Sequence, residues 1–226
     1  MKKATEQIYE KCKPIWDKCY AHPFVQAIAD GSLDHDKFRF FILQDHLYIM
    51  QYAKLFAFGM TKCDKESDIR EFHDLIVNSI EGEDALHQSY FKKIGITQEM
   101  IDAALPTVAN ESYTHYMLNV AEKGGPAEIM AAACACAWSY TYIGQLLAKI
   151  PGINDHEFFG PWTAVYTDPE CILGNDAMNA MLDRFSENYT QEQIDYLVHV
   201  VYVCSQYEYN FWDTAWKMER TLLPVE

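Results

Sequence analysis

The twenty-residue run from Ile129 to Ala148, IMAAACACAWSYTYIGQLLA, carries no formal charge and is apolar on every side when wound as a helix. Such a helix has to be enclosed, either by a bilayer, which takes about 20 predominantly apolar residues, or by a ring of other helices. The run is built on Ala, Cys, Ser, Thr, Gly and Gln rather than Leu, Ile and Phe, and charged amphipathic segments flank it on both sides. Those features favour the ring of helices over a membrane span. Within the run, Cys136 and Tyr140 share a face at i, i+4. Ala132 and Ala133 lie a turn before the thiol and Gly144 a turn after the phenol, which leaves room for a flat ring beside the sulfur. A thiol so placed is either a small inert hydrophobe or a nucleophile, and spacing alone leaves both open.

Half of the 226 residues are hydrophobic and no stretch reads as a linker, so one core and a single helical domain over residues 1–226 are expected. The formal charge of −15 repels phosphate backbones and anionic lipid, which argues against a nucleic-acid or membrane-surface partner. MKKATEQIYEKCKPIW mixes acids and amides where a signal peptide carries its apolar stretch. The seven cysteines form an odd, scattered set with no CxxC pair, as suits reduced thiols in a cytoplasm. Cys134 and Cys136 cannot chelate together from one helix, because two residues turn the side chain through about 200°.

Along the chain, Ile8, Cys12, Ile15, Trp16 and Cys19 repeat at helical spacing, with Pro14 as a kink or boundary. A short helix around Phe24 to Asp30 ends at Gly31, and Ser32 or Asp34 caps the next. From Asp36 to about Lys62 the chain reads as a long, largely buried helix interrupted by one acid, Asp45, with Tyr48 a turn on. A buried carboxylate is satisfied by the core or binds something. A helix from Lys65 to Lys93 bears Glu81, Glu83, Asp84 and His87, and stops at Gly95. Its lone Asp84-x-x-His87 lacks the second copy that di-iron bundles use.

Pro106 breaks the chain, Asn110 caps a helix bearing Tyr113, and Gly124-Gly125-Pro126 precedes the central run. Asn154 to Tyr166 reads as a broken helix with Pro161 inside, Cys171 to Glu187 as an amphipathic helix, and Thr190-x-x-Gln193 as a capping box opening a last helix to about Arg220. In that helix Glu208 is flanked by Tyr207 and Tyr209, with Phe211 a turn on. It is either a carboxyl of raised pKa or a partner in a surface ion pair.

The sum is an all-α bundle of about eight helices, with no Gly-rich phosphate loop and no Ser-His-Asp set. One small-lined thiol, two aromatic-embedded carboxylates and a surplus of tyrosines suit a flat, neutral or cationic heteroaromatic ring. The elements QDHLYIMQYA at 44–53, CAWSYTYIG at 136–144 and YEYNFWDTA at 207–215, with HPFVQAIADGSL before them, resemble the TenA/thiaminase II family in order and approximate spacing.

The resemblance implies a heme-oxygenase-like helical fold without heme, using no cofactor and no metal. It implies a homotetramer acting in thiamin salvage in the cytoplasm, on 4-amino-5-aminomethyl-2-methylpyrimidine and on thiamin. It carries over Cys136 as nucleophile, Glu208 as acid/base, Asp45 as the carboxylate that holds the pyrimidine, and Tyr48, Tyr113, Tyr140, Tyr166 and Phe211 as pocket residues. Ala135 stands where the family commonly has Pro, a local departure beside the thiol. Two alternatives are a di-iron or heme oxidase built on His87, Glu81, Glu83 and Asp84, and a non-catalytic regulator.

Overall fold

The computed structural model describes residues 2–83 and 90–219, and every regular element among them is helical. The α-helices are α1 (Ala4–Tyr20), α2 (Pro23–Ala29), α3 (His35–Thr61), α4 (Glu66–Val77), α5 (Gln98–Asp102), α6 (Val108–Lys123), α7 (Pro126–Leu147), α8 (Gly160–Thr167), α9 (Pro169–Phe185) and α10 (Gln191–Lys217). A further helical stretch at 90–94 ends at Gly95, whose φ of +76° suits a residue without Cβ.

The uncharged run forms α7 and is enclosed by α1, α3, α6, α8, α9 and α10. Its Ile129, Met130, Ala131, Ala132, Ala133, Cys134 and Ala135 are wholly buried on consecutive positions, so every side of the helix meets protein there. Small side chains permit that many neighbours at close range. No helix among the described residues is long and apolar enough to cross a membrane.

Several boundaries differ from those read in the sequence. Pro14 neither ends nor starts a helix: α1 runs through it, with Pro14 exposed while Cys12, Trp16 and Cys19 are buried. The missing hydrogen bond falls on the wet side, and packing against α10, with Trp16 Nε1 donating to Ser205 Oγ at 3.0 Å, offsets a cost of about 3 kcal/mol. The α6 cap is Thr107, whose hydroxyl accepts from Asn110 N; Asn110 is instead inside the first turn. Pro161 opens α8 rather than breaking it. The long helix expected from Lys65 to Lys93 stops at Val77, and Asn78–Glu83 continues as a π-helix. Ser79 Oγ donates back to Leu75 O at 2.8 Å, and Gly82 follows; both weaken a regular helix.

Three of the caps and turns read in the sequence are found as expected. Asp34 caps α3 by accepting from Asp36 N, Thr190 and Gln193 form the capping box of α10, and Gly31 at φ +77° ends the turn after α2.

Candidate active site

Asp45 on α3 is held in register by its neighbour. Gln44 is 3 % exposed; its Nε2 donates to Leu105 O at 2.9 Å, and its Oε1 accepts from Thr107 N at 2.9 Å. Asn110 Nδ2 donates to Gln44 O at 2.8 Å and to Oε1 at 3.1 Å. One amide thus ties α3 to the start of α6, which sets Tyr48 against Tyr113 with ring centroids 5.2 Å apart.

Tyr113 Oη donates to Glu208 Oε1 at 2.7 Å, and Cys136 also hydrogen-bonds the Glu208 carboxyl. Glu208 is 2 % exposed, which rules out the surface ion pair. Its pKa is raised to about 8: burial is the main cause, the nearby Asp45 charge adds to it, and the hydrogen bonds from Tyr113 and Cys136 oppose it. At neutral pH this carboxyl therefore holds a proton that it can donate. Burial keeps the hydroxyls of Tyr48, Tyr113 and Tyr140 far above the ordinary tyrosine range, so all three remain donors.

On the other side of the sulfur lies a cavity of about 550 Å³, bounded by α3, α4, the π-helix, α7, α8 and α9. Asp45, Cys136, Tyr140 and Tyr166 line it. Tyr48, Tyr113, Glu208 and Phe211 are not on its wall. They pack behind Cys136, Tyr48 meeting Phe211 at 6.0 Å between centroids. All eight residues singled out in the sequence are thus brought to one corner, but the acid reaches the thiol from the core and not across the open cavity. Cys134 is fully buried, and burial pushes its thiol up to about 12; Cys136 alone of the two lines the cavity.

Gly144 has a different task from the one its small size suggested. A Cβ there would lie 1.9 Å from Tyr166 O, so the glycine admits the α8 backbone and sets the Tyr166 ring 4.9 Å from Tyr140. Ala135 is wholly buried within the unbroken helix of α7.

Sequence reasoning missed the opposite wall. Asn78, Ser79 and Gly82 of the π-helix and Glu170, Cys171 and Asn175 of α9 face the cavity, with Thr141 Oγ1 3.6 Å from Cys171 Sγ. The only sequence signal was the spacing Glu170, Cys171, Gly174, Asn175, Met178, one side of a helix. Of the alternative metal set, Glu81 is exposed, the Glu83 side chain is not described, and Asp84 and His87 lie outside the described residues. Among the described residues no group of three or more thiol, imidazole or carboxylate side chains is placed to hold a metal ion.

The family model described as TENA/THI-4/PQQC family matches residues 9–218. An aminopyrimidine aminohydrolase of Helicobacter pylori is 39 % identical over 216 residues, covering 94 % of this chain and 98 % of its own. Among solved structures, a TenA homologue protein from P. horikoshii superposes with a TM-score of 0.88 at 25 % identity, over 96 % of this chain and 99 % of that one. A cyanobacterial heme oxygenase-1 from Synechocystis, solved with heme, shares the fold at a TM-score of 0.64 and 13 % identity, over 94 % and 91 % of the two chains.

Proposed function

Because the chain belongs to the TENA/THI-4/PQQC family and has its heme-oxygenase-like all-α fold, we propose that it is an aminopyrimidine hydrolase of thiamin salvage in which Cys136 is the nucleophile. The observation that carries the reading is the meeting of three groups: the Cys136 thiol, a Glu208 carboxyl that holds its proton near neutrality, and the Asp45 carboxylate close enough to influence it.

Asp45 accepts hydrogen bonds from the exocyclic amine of the pyrimidine and orients the ring against Tyr140 and Tyr166. Cys136 Sγ adds to an electron-poor ring carbon, its proton passing to one oxygen of Glu208 as the carboxyl delivers its own proton to a ring nitrogen, which suspends aromaticity. The electron pair then expels the substituent on the 5-methylene, as an amine or as a thiazole. Water adds to the exposed methylene, the thiol departs from the ring, and the 5-hydroxymethylpyrimidine is released. Tyr113, donating to Glu208, holds that carboxyl in place and stabilises its charge after the proton is given up.

The same reading makes the protein a cytoplasmic homotetramer that works without a cofactor. Size-exclusion chromatography with light scattering tests the assembly. Release of 4-amino-5-hydroxymethyl-2-methylpyrimidine from 4-amino-5-aminomethyl-2-methylpyrimidine, by wild type and by Cys136→Ser, tests the chemistry; unchanged turnover in the serine variant would remove the thiol from the mechanism.

A further inference from the structure

The turn of α7 that leads into Cys136 is gripped from outside. Tyr52 on α3 is 5 % exposed and lines the cavity, and its hydroxyl donates to Ala133 O at 3.0 Å. That carbonyl lies inside the regular α7 helix, where Ala137 N already supplies its helical donor, so it needs no second bond. Two other hydroxyls reach α7 carbonyls beside the thiol, Ser139 Oγ at Cys136 O (3.1 Å) and Thr141 Oγ1 at Ala137 O (2.7 Å), but both belong to α7 itself. Tyr52 is the one of these three that comes from another helix. It stands two turns after Asp45 and within about 20° of it round α3, so one face of α3 carries both the cavity carboxylate and the grip on the thiol's helix.

Ala133 O is also one of two carbonyls within reach of a side chain at position 136. In a helix, a short side chain with a hydrogen to donate turns back to the carbonyl three or four residues earlier, here Ala133 O or Ala132 O. With Ala137 N and the Tyr52 hydroxyl upon it, both lone pairs of Ala133 O are taken. The Cys136 thiol hydrogen-bonds the Glu208 carboxyl on α10. We propose that Tyr52 is a positioning residue: by filling Ala133 O it turns the Cys136 thiol from its own helix toward α10, and by joining α3 to α7 it sets the reach of the sulfur to a ring held at Asp45. This rests on the proposed cysteine chemistry and adds to it a residue that acts through the α7 backbone.

Tyr52→Phe tests the assignment, because it keeps the ring that stacks on Tyr48 at 5.6 Å and meets Phe56 edge-on at 4.7 Å and removes the hydroxyl alone. Tyr189→Phe is the control: it removes a hydroxyl that bonds Glu128 at 3.0 Å in the first turn of α7. Each variant is read in three ways: by the infrared S–H stretch of Cys136, identified by its loss in Cys136→Ser; by the rate of Cys136 alkylation with iodoacetamide, followed by mass spectrometry; and by kcat and KM for 4-amino-5-aminomethyl-2-methylpyrimidine. In Tyr52→Phe the S–H band is expected to shift, and alkylation and kcat each to fall about fivefold for one neutral hydrogen bond, with KM within about twofold of wild type. In Tyr189→Phe all three stay at wild-type values. An S–H band and an alkylation rate unchanged by Tyr52→Phe, or moved equally by the control, would overturn the assignment. A wild type that releases no hydroxymethylpyrimidine removes the proposed reaction instead; the band and the alkylation rate still decide for or against Tyr52.

Discussion

The two sides of the Cys136 cavity are built from different materials. Behind the sulfur, α3, α6, α7 and α10 supply rings in contact and one protonated carboxyl, with Tyr48, Tyr113, Glu208 and Phe211 each no more than 6 % exposed. Facing the sulfur, the π-helix and α9 supply short polar side chains and carboxylates that reach solvent. A dry, packed corner holds pKa values away from their solution range and fixes reacting groups, whereas a wet, acidic wall does neither but can tell one charged substituent from another. On the proposed function, the difference separates chemistry from selection. Changes on the first side should lower turnover of every substrate alike; changes on the second should alter ratios.

Cys136→Ser is the severest way to break that division. Turnover of aminomethylpyrimidine and of thiamin should both fall by about a thousandfold or more, because in the proposed mechanism nucleophile and proton donor act as a unit. A loss confined to one substrate, in parallel steady-state assays, would mean that the thiol belongs with selection.

Glu208→Gln should cost roughly 10²- to 10⁴-fold in kcat for both substrates. It should also remove a pH dependence of stability. The native carboxyl releases its proton near pH 8, the unfolded one near about 4.3. Between those values the folded state holds the extra proton, so stability falls as pH rises through that window and is level above it. Thermal melts at pH 6 and pH 9 should therefore show wild type losing several degrees that the Gln variant keeps.

Gly144→Ala sharpens the comparison from the seam between α7 and α8. The added methyl cannot fit against Tyr166 O, so α8 must shift and carry Tyr166 off Tyr140. We expect kcat/KM to fall about tenfold for both substrates, and the melting temperature by a few degrees for about 1–3 kcal/mol of overpacking.

Tyr113→Phe is the mildest. Tyr113 favours the charged form of Glu208 by donating to it, so its removal raises the Glu208 pKa above about 8. The alkaline limb of kcat should move to higher pH, with kcat itself reduced only several-fold. A limb that stays in place would show that another group sets it.

That Asp45, Cys136 and Glu208 come together was legible in the sequence for a physical reason. Asp45, Cys136 and Glu208 each sit within a single helix among apolar or aromatic neighbours, and a polar group in such a setting must be paired or used. The helices themselves followed from periodicity. What did not follow were features made by distant residues. The partners of Gln44 lie 61 to 66 positions away. Pro14 is tolerated because its side of α1 meets water, and the π-helix after Val77 depends on local back-bonding by Ser79. Gly144 was read as space for a ligand, yet it is filled by backbone. The partner of the Tyr52 hydroxyl has no sequence signature either, since it lies on another helix.

The Gln44 amide has a consequence for how this protein can change over generations. It fastens the helix bearing Asp45 to the first turn of the helix bearing Tyr113, and among the described residues between the two helices Leu105 joins that fastening through its backbone oxygen. The side chain at position 105, 38 % exposed, can thus vary without touching this joint, whereas trading Gln44 for Glu would forfeit the donation to Leu105 and loosen two helices at once.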